Sequence, residues 1–448
     1  MYISIRMITW YGDEIAMDLG DPNIRNYYLT QHIHNNVNDV QHFTGQPQID
    51  FAIFKYFNEQ VEFKPFDQYA PGKSIVAIGL HGGLHPLKLQ LIKEWFHSST
   101  HRLQAWNDPD CNILIDYSLE GFTDEYFPEL WKWINENNLA DRVLYVNGAC
   151  NLTDLYNNWC SKQKCAPNMQ TAWYGFFTNW LINDRISIKV KGEYSNINGA
   201  LPMAKLGESG KRYISLNRRP HPHRILLSTL LERKGIIEQG AVSMPMEFSE
   251  AEVQWDKEHW DLNHQWFLLN ERFNGRLTYL DPAFKSLFAK LPLVADTTDF
   301  STNHAMNLNV DFYENFPINV VTETLFFTDA AFTSEKIWKP MLLGQIFLVM
   351  ASPFYLQALQ DLGFKTFAPY INEEYDTIND PLERANALAN SLKDVVKLSN
   401  AEFLTLLENC KDIILHNREI VVDQERLTKL VSTYVVDLIE NSWSYKNT

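Results

Sequence analysis

Short apolar runs recur along this chain, and several are followed by a loop of glycine or polar residues and then by a helical pattern. The clearest runs in the first half are residues 74–80, 112–117 and 142–147, with residues 2–9 and 51–54 as further candidates. A run that is apolar throughout is typical of a parallel strand covered on both faces. Alternation of such strands with helices predicts an α/β fold built on doubly wound parallel sheets.

The length of the chain predicts more than one domain, because 448 residues exceed what a single hydrophobic core usually supports. We predict an N-terminal α/β domain over residues 1–205, a second α/β domain over residues 206–380, and C-terminal helices over residues 381–448. The segment 190–210 is interpreted as the linker between the first two. Ser399 and Glu402 have the spacing of a capping box, which predicts the start of a C-terminal helix.

The net charge of −16 opposes nonspecific binding to nucleic acid or to an anionic membrane, because neutralised phosphates supply most of such affinity. No segment approaches the roughly 20 apolar residues of a membrane span, and the first residues lack the apolar core of a signal peptide. Five scattered cysteines do not form the pattern of a disulfide framework. We therefore expect a cytoplasmic protein without a membrane span, and we do not expect nucleic acid as a partner.

The segment 321–367 predicts a strand, a helix and a second strand in close succession. Residues 326–331 are expected to form the first, short strand. Thr333 or Ser334 is suited to cap the helix that follows, because a hydroxyl accepts hydrogen bonds from the free amides of a first helical turn. The helix is therefore expected to begin at the carboxyl end of a strand.

Two charged residues, Glu335 and Lys336, fall in the first turn of that helix, and residues 346–350 are expected as a buried parallel strand beyond it. Open α/β sheets bind ligands at the carboxyl ends of their strands, where helix N-termini attract phosphate. Lys336 favours a pyrophosphate there, whereas Glu335 is better suited to accept hydrogen bonds from a neutral diol such as a nucleotide ribose. The alternative is an ordinary capped helix with a solvated Glu and Lys.

A second strand, loop and helix precede this segment in the chain. Residues 211–216 predict the strand, and Pro222 is well placed near the start of the helix, where its missing amide proton costs nothing. The loop and the helix start carry Arg218, Arg219 and Arg224. Three arginines in a chain of net negative charge predict a second anion-attracting turn, and the alternative is a set of surface arginines.

The segment 321–367 resembles the nucleotide-binding motif of the α1,3-fucosyltransferase family. In that motif an acidic residue precedes an aromatic residue, a Thr-Glu-Lys-like triplet, a helix, a glycine and an apolar strand. Glu323 matches the acid, Phe332 matches the aromatic residue, and Glu335 and Lys336 match the charged pair of the triplet.

Gly344 matches the glycine, and the sequence departs from the family motif in two places. The acid of the family is usually followed by Asn-Ser, whereas Thr324 and Leu325 stand here, and Ser334 replaces the threonine of the triplet. The resemblance covers about residues 211–367. These departures bear on the donor sugar more than on the class of donor.

The resemblance implies a GT-B fold, in which two Rossmann-like domains face each other across a cleft and a terminal helix often crosses back to the first domain. It also implies that the donor substrate is a nucleoside diphosphate sugar, with a GDP-sugar favoured, and that no further cofactor is needed. The soluble microbial or viral members of the family are the nearer comparison. The residues expected to bind the donor are Arg218, Arg224, Glu323, Phe332, Ser334, Glu335, Lys336 and Lys339.

An inverting sugar transfer requires a base that takes the proton of the acceptor hydroxyl, and we expect it in the N-terminal domain. Glu120 is the first choice because it follows the predicted strand 112–117, and Asp116 is the alternative at the end of that strand. His81 or His85, on a glycine-rich turn, is a candidate contact for the acceptor. Each carboxylate has the alternative role of a solvated loop residue or a helix cap.

No pattern in the sequence has the spacing of a metal site. Asp108, Pro109 and Asp110 form an acid-x-acid triplet, but it precedes a predicted strand instead of following one, and the proline indicates a turn. The paired histidines, including His221 with His223, are interpreted as surface or loop residues. We therefore expect no metal.

The sequence leads to the hypothesis of an inverting glycosyltransferase that moves a sugar, with fucose as the leading prediction, to a hydroxyl of a glycan. Two alternatives stay open: a noncatalytic protein that binds a sugar nucleotide or a glycan, and a glycosyltransferase acting on hydroxymethylated DNA bases. A phosphoryl-transfer enzyme is disfavoured because the sequence contains neither a P-loop nor a dinucleotide-binding glycine motif. The oligomeric state is not predicted.

Overall fold

The chain divides into two compact units, residues 1–179 with 428–448, and residues 180–427. The structure, a computed structural model, describes residues 8–12, 14–16, 27–29, 61–79, 86–118, 121, 126–175, 177–178, 187–190, 193–195, 201–246, 262–296, 307–423, 425–427, 430, 434 and 437. The boundary between the two compact units lies near residue 180. The functional division at residues 205 and 206 stays a prediction.

The first unit contains a parallel sheet of six strands in the order β4-β1-β5-β6-β7-β8 and a separate antiparallel pair, β2 with β3. Its strands are β1 (Ile8–Gly12), β2 (Glu14–Ala16), β3 (Tyr27–Leu29), β4 (Val61–Pro65), β5 (Ser74–Gly79), β6 (Cys111–Tyr117), β7 (Val143–Asn147) and β8 (Gln170–Trp173). Its helices are α1 (Pro86–Phe96), α2 (Thr100–Asn107), α3 (Phe127–Glu136) and α4 (Leu152–Gln163), with a 3-10 turn at Phe66–Gln68.

The three runs that most clearly predicted strands in this unit are strands in the structure. Every residue of β5, β6 and β7 is buried, as expected for parallel strands covered on both faces. Of the two further candidates, residues 51–54 lie outside the described residues, and β1 takes up only the end of the predicted run 2–9.

The second unit contains a parallel sheet in the order β12-β11-β14-β15 and a smaller sheet in the order β10-β9-β13. Its strands are β9 (Ser187–Val190), β10 (Glu193–Ser195), β11 (Tyr213–Leu216), β12 (Gly240–Ser243), β13 (Asn307–Asn309), β14 (Ile318–Thr322) and β15 (Ile346–Met350). Its helices are α5 (Pro222–Arg233), α6 (Leu262–Arg272), α7 (Asp281–Phe288), α8 (Val310–Tyr313), α9 (Glu335–Leu343), α10 (Tyr355–Asp361), α11 (Pro381–Val396), α12 (Asn400–Asn409) and α13 (Lys411–Val422). The 3-10 turns are Ile237–Gln239, Thr278–Leu280 and Glu374–Thr377. An α/β fold with two parallel sheets is thus confirmed.

Two sequence interpretations in this unit were wrong. The segment read as linker contains β10 and the last residue of β9, because β9 pairs with β13 far along the chain. Residues 326–331 do not form a strand, and residues 326–329 form bends. The strand before the helix is β14, which pairs with β15 along its whole length, and the carbonyl of Phe326 accepts a hydrogen bond from Arg384 instead of joining a sheet.

The ends of α9 are formed as the sequence predicted. Ser334 caps the helix, and its hydroxyl accepts a hydrogen bond from the amide of Lys336. Gly344 ends the helix in the left-handed conformation, with a φ of 65°, which a residue without Cβ adopts readily. The capping box of Ser399 and Glu402 also starts its helix. None of the described helices combines the length and the hydropathy that crossing a bilayer requires.

Candidate functional site

The two helices predicted to attract anions begin at the same edge of one sheet. Helix α5 follows β11 and helix α9 follows β14, and these two strands are parallel neighbours. Parallel strands place their carboxyl ends together, so the free amides of both helix N-termini are at that edge. A pocket of about 260 Å³ lies there.

The charged residues that line this pocket are mostly cationic. Five cations and one carboxylate contribute to its wall, namely Arg218, Arg219, Arg224, Lys336, Lys339 and Glu335. Burying an excess of like charge is costly, and a bound anion offsets that cost. The arrangement is therefore suited to a ligand with several negatively charged oxygens.

Glu335 provides the one carboxylate of the pocket. Its carboxylate Oε1 lies 3.2 Å from Nζ of Lys336, and the residue is only 7% exposed. Burial by itself raises the pKa of Glu335, but the positive charges of Lys336 and Lys339 outweigh it, so the pKa is lowered. An ionised carboxylate accepts hydrogen bonds and donates none, which suits it to hydroxyl groups of a ligand.

Lys336 is held by three oxygens of the protein. Its Nζ lies 3.0 Å from Oγ of Ser334, 3.2 Å from Oγ1 of Thr324 and 3.2 Å from Oε1 of Glu335. These oxygens come from the loop just after β14, the cap of α9 and its first turn. The ammonium thus lies at the edge of the pocket in a fixed position.

Glu323 is fully buried and is not among the residues that line the pocket. Its carboxylate accepts hydrogen bonds from Ser334 Oγ at 2.5 Å and from Tyr355 OH at 2.9 Å. Weaker contacts come from the amides of Thr324 at 3.3 Å and Ser334 at 3.4 Å. Burial raises the pKa of Glu323 against the lowering effect of Lys336. Glu323 therefore fastens the end of β14 to the starts of α9 and α10.

Phe332 and Ser334 are buried as well, at 2% and 0% exposure, and neither lines the pocket. A direct contact of Phe332, Ser334 or Glu323 with a donor stays a prediction. In the structure, Ser334 contributes to the site indirectly, because its hydroxyl donates a hydrogen bond to Glu323 and accepts one from Lys336.

Arg224 lies in the first turn of α5 and is only 6% exposed. Its Nη1 donates to the carbonyl oxygen of Arg219 at 3.1 Å, whereas its Nε makes no hydrogen bond within the part of the chain that the structure describes. Burial lowers the pKa of Arg224 to about 10, and Glu335 and Glu323 act against that shift. The guanidinium stays charged at neutral pH and has a donor that no described residue accepts.

The histidines of this turn correct an interpretation from the sequence. His223 is 4% exposed instead of a surface residue, and its Nε2 lies 2.9 Å from the carbonyl oxygen of Glu323. A carbonyl only accepts, so Nε2 carries the proton. Burial lowers the pKa of His223 to about 3, so the ring is neutral at physiological pH. His221 is half-buried, lines the pocket and stacks on His223.

Lys339 lies one turn beyond Glu335 on α9 and is 8% exposed. Burial lowers its pKa to about 8, although Glu335 opposes that shift. No described residue forms a hydrogen bond or an ion pair with its ammonium group.

The residues predicted to serve the acceptor lie in the first unit. Asp116, in β6, is 2% exposed, and its Oδ1 accepts a hydrogen bond from the amide of Ser118 at 2.9 Å. Glu120, His81 and His85 lie outside the described residues. The base of the reaction therefore stays a prediction.

The acid-x-acid triplet is part of the structure of a turn. The carboxylate of Asp108 accepts hydrogen bonds from Tyr69 OH at 2.8 Å and from the amides of Gly72 and Asp110 at 2.9 and 2.8 Å. Within the described ranges, no group of three or more His, Cys, Asp or Glu side chains is arranged to hold a metal ion.

Five of the six charged residues that line the pocket were predicted from the sequence. Arg219, Thr324 and Tyr313 also line it and were not predicted to bind the donor. Arg219 belongs to the basic loop already singled out, so its position next to Arg218 was the available signal. Thr324 directly follows the matched acid. Tyr313 comes from the one-turn helix α8, and no local pattern links that helix to the site.

No family model and no curated protein matches the sequence. Solved structures similar to the chain include the following three. The N-terminal domain of trehalose-6-phosphate phosphatase from Candida albicans shares 12% identity, with a TM-score of 0.41 over 88% of this chain and 74% of that one. HepE from Anabaena, in complex with UDP and glucose, shares 9% identity, with a TM-score of 0.43 over 97% of this chain and 100% of that one.

HepE in complex with UDP-glucose shares 11% identity, with a TM-score of 0.41 over 97% of this chain and 99% of that one. These likenesses are remote, and none of the comparisons confirms membership of the fucosyltransferase family. The function proposed below rests on the side chains of the site.

Proposed function

We propose that the pocket between α5 and α9 binds the diphosphate of a nucleotide sugar and that the protein is an inverting glycosyltransferase. One observation carries the proposal: five cationic side chains and one ionised carboxylate surround a pocket at the N-termini of two neighbouring helices. The cations suit the diphosphate, and the carboxylate suits the hydroxyls of a ribose or a sugar. A phosphate alone would leave Glu335 without a role.

The same arrangement favours transfer as well as binding. In an inverting transfer the acceptor oxygen bonds to the anomeric carbon as the bond to the diphosphate oxygen breaks, and the electron pair leaves with the diphosphate. The acceptor proton passes to a base. Arg224, Lys336 and Lys339 offset the charge that develops on the leaving group, and the amides of both helix N-termini contribute.

The identity of the donor rests on the resemblance to the α1,3-fucosyltransferase motif, so GDP-fucose is the leading donor and a glycan the leading acceptor. The departures at Thr324, Leu325 and Ser334 bear on the donor sugar more than on the class of donor. HepE was solved with UDP, and UDP therefore belongs in any test of nucleotide preference.

The test is a calorimetric titration of the full chain with GDP, UDP, ADP and CMP in the absence of added metal. We expect selective binding of one diphosphate and a loss of affinity of about tenfold to a hundredfold in Arg224→Gln and Glu335→Gln, since each removes a charge-assisted hydrogen bond. Arg233→Gln, at the exposed far end of the same helix, is the matched control and should bind as the wild type does.

Absence of binding by every nucleotide, or equal losses in the three variants, would refute the donor site. With a binding nucleotide in hand, the corresponding sugar nucleotide is incubated with glycan acceptors and with DNA containing hydroxymethylated bases. Transfer to glycans supports the proposal. Binding without transfer to either acceptor favours the noncatalytic alternative.

A further inference from the structure

We propose that the two lysines of α9 have different roles: Lys339, together with Arg224, holds the anion, whereas Lys336 is a positioning residue that fixes Glu335 and the start of the helix. This deepens the proposed function, which supplies the identity of the anion. The division of roles applies to any ligand with phosphate-like or sulfate-like oxygens.

The ammonium group of Lys336 already has contacts with protein oxygens. An ammonium has three N–H groups, and three protein oxygens lie within 3.2 Å of Nζ, namely Ser334 Oγ, Thr324 Oγ1 and Glu335 Oε1. The hydroxyl of Ser334 donates to Glu323, so its lone pairs are available to Lys336. Two protons of Lys336 are thus engaged in hydrogen bonds and its charge is paired with Glu335, so a ligand would have to compete with these contacts.

Lys339 presents the opposite case on the same helix. Its side chain is 8% exposed and lines the pocket, yet no described residue offers its ammonium a hydrogen bond or an ion pair. A largely buried ammonium that makes no hydrogen bond to a described residue is costly even with the charge of Glu335 one turn away, and a ligand oxygen in the pocket would reduce that cost without breaking an existing hydrogen bond.

Arg224 supplies a second unused donor from the other helix. Its Nε makes no hydrogen bond in the described part of the chain, and the residue is 6% exposed and lines the same pocket. Lys339 and Arg224 therefore approach one pocket from α9 and α5. Two donors from separate elements define a site for a group with several acceptor oxygens.

The charge state of Lys339 gives this division a measurable consequence. The charged groups that act on it are Glu335 and Lys336 from its own helix, Asp296 and Arg218. Burial lowers its pKa to about 8, and an anion bonded to the ammonium raises that pKa again. Binding at pH 8 should therefore take up as much as about half a proton per anion, and this uptake should vanish well below pH 8.

The experiment is a calorimetric titration of the full chain at pH 8 with sodium sulfate, and separately with GDP, in two buffers of different ionisation enthalpy. Sulfate does not titrate near pH 8, so a proton uptake with sulfate belongs to the protein. We expect uptake in the wild type. Lys339→Met should abolish it and weaken binding by about tenfold or more, because a charge-assisted bond is lost.

Lys336→Met should keep the uptake and move it to higher pH, because the charge of Lys336 lowers the pKa of Lys339. Lys339→Arg is the second variant, and it should bind sulfate without uptake, since a guanidinium does not titrate in this range. Unfolding curves confirm that each variant is folded. Uptake retained in Lys339→Met, or abolished in Lys336→Met, would overturn the proposal.

The two ligands separate this inference from the proposed function. Sulfate binding with uptake, but no binding of GDP, UDP, ADP or CMP, would support the division of the lysines and refute the nucleotide-sugar site. Nucleotide binding without any proton uptake would leave the donor site in place and refute the role of Lys339.

Discussion

The two parallel sheets present their strand ends in different ways. In the second unit, β11 and β14 lead into turns whose cations line a pocket. In the first unit, Asp116 lies one residue before the end of β6 and Asn147 ends β7, and their side-chain oxygens accept hydrogen bonds from the amides of Ser118 at 2.9 Å and Ala149 at 2.7 Å. At the carboxyl ends of the strands, these side chains stabilise turns in the first unit, whereas cations line a pocket in the second unit.

The carboxyl edge of a parallel sheet therefore permits a ligand site but does not create one. A site arises where donors or acceptors are held in place without being satisfied by the protein. Arg224 Nε and the ammonium of Lys339 make no hydrogen bond to a described residue, whereas side-chain oxygens of Asp116 and Asn147 accept hydrogen bonds from their own backbone.

Two glutamates of the second unit differ in the direction of their pKa shifts. Glu335 has a lowered pKa because the cations Lys336 and Lys339 outweigh its burial. Glu323 has a raised pKa because burial outweighs its donors. One carboxylate faces a ligand pocket, and the other holds the loop that forms the wall of that pocket.

The largest effect should follow from Glu323→Ala. It leaves the hydroxyls of Ser334 and Tyr355 without their acceptor in a buried position, so we expect the free energy of unfolding to fall by about 3 kcal/mol. Nucleotide affinity should fall as well, because Ser334 no longer fixes Lys336. Urea denaturation followed by circular dichroism measures the first effect. A loss below about 1 kcal/mol would show that Glu323 does not fasten the site.

Each unit also contains a buried arginine that donates hydrogen bonds to backbone carbonyls. The two arginines differ in whether their partners belong to the site. Arg142 in the first unit donates to the carbonyls of Cys111, Trp106 and Ala105 at 3.0, 2.8 and 3.1 Å. Arg384 in the second unit donates to those of Phe326, Ala351, Ile378 and Asn379 at 2.6, 3.0, 2.6 and 3.1 Å. Only Phe326 belongs to the loop between β14 and α9.

Arg142→Met and Arg384→Met should each lower the free energy of unfolding by about 2 kcal/mol, since each leaves buried carbonyls unpaired. Only Arg384→Met should weaken nucleotide binding, by several-fold, because it releases the loop that carries Phe326. Unfolding curves and nucleotide titrations on the same samples measure both effects. Equal losses of affinity in the two variants would mean that binding reports general stability instead of the site.

The smallest effect is expected for Asp116→Asn. The amide oxygen of asparagine can still accept from the amide of Ser118, so stability should change by about 1 kcal/mol or less and nucleotide affinity should not change. Transfer kinetics provide the decisive readout. A drop in the transfer rate of about a hundredfold or more would identify Asp116 as the base of the reaction, the alternative that the sequence suggested beside Glu120.

Much of the second unit could be predicted because its signals are local. The apolar run of β15, the cap at Ser334 and the left-handed Gly344 each depend on residues a few positions apart. The same holds for the residues of the helix starts, and Glu335 and Lys336 were found that way. The strand predicted at residues 326–331 failed because the partner of the Phe326 carbonyl comes from Arg384, on α11.

The sequence by itself thus determined the α/β class, the ends of α9 and the candidate cations, because apolar runs and helix caps depend on neighbours along the chain. Tertiary structure alone decided which of these residues act together. It buried Glu323 close to the site, brought His223 to its carbonyl, and left the ammonium of Lys339 without a hydrogen bond to any described residue, while that of Lys336 has three protein oxygens within 3.2 Å. Hydrogen bonds and charge interactions depend on distance in space, and only the folded chain sets those distances.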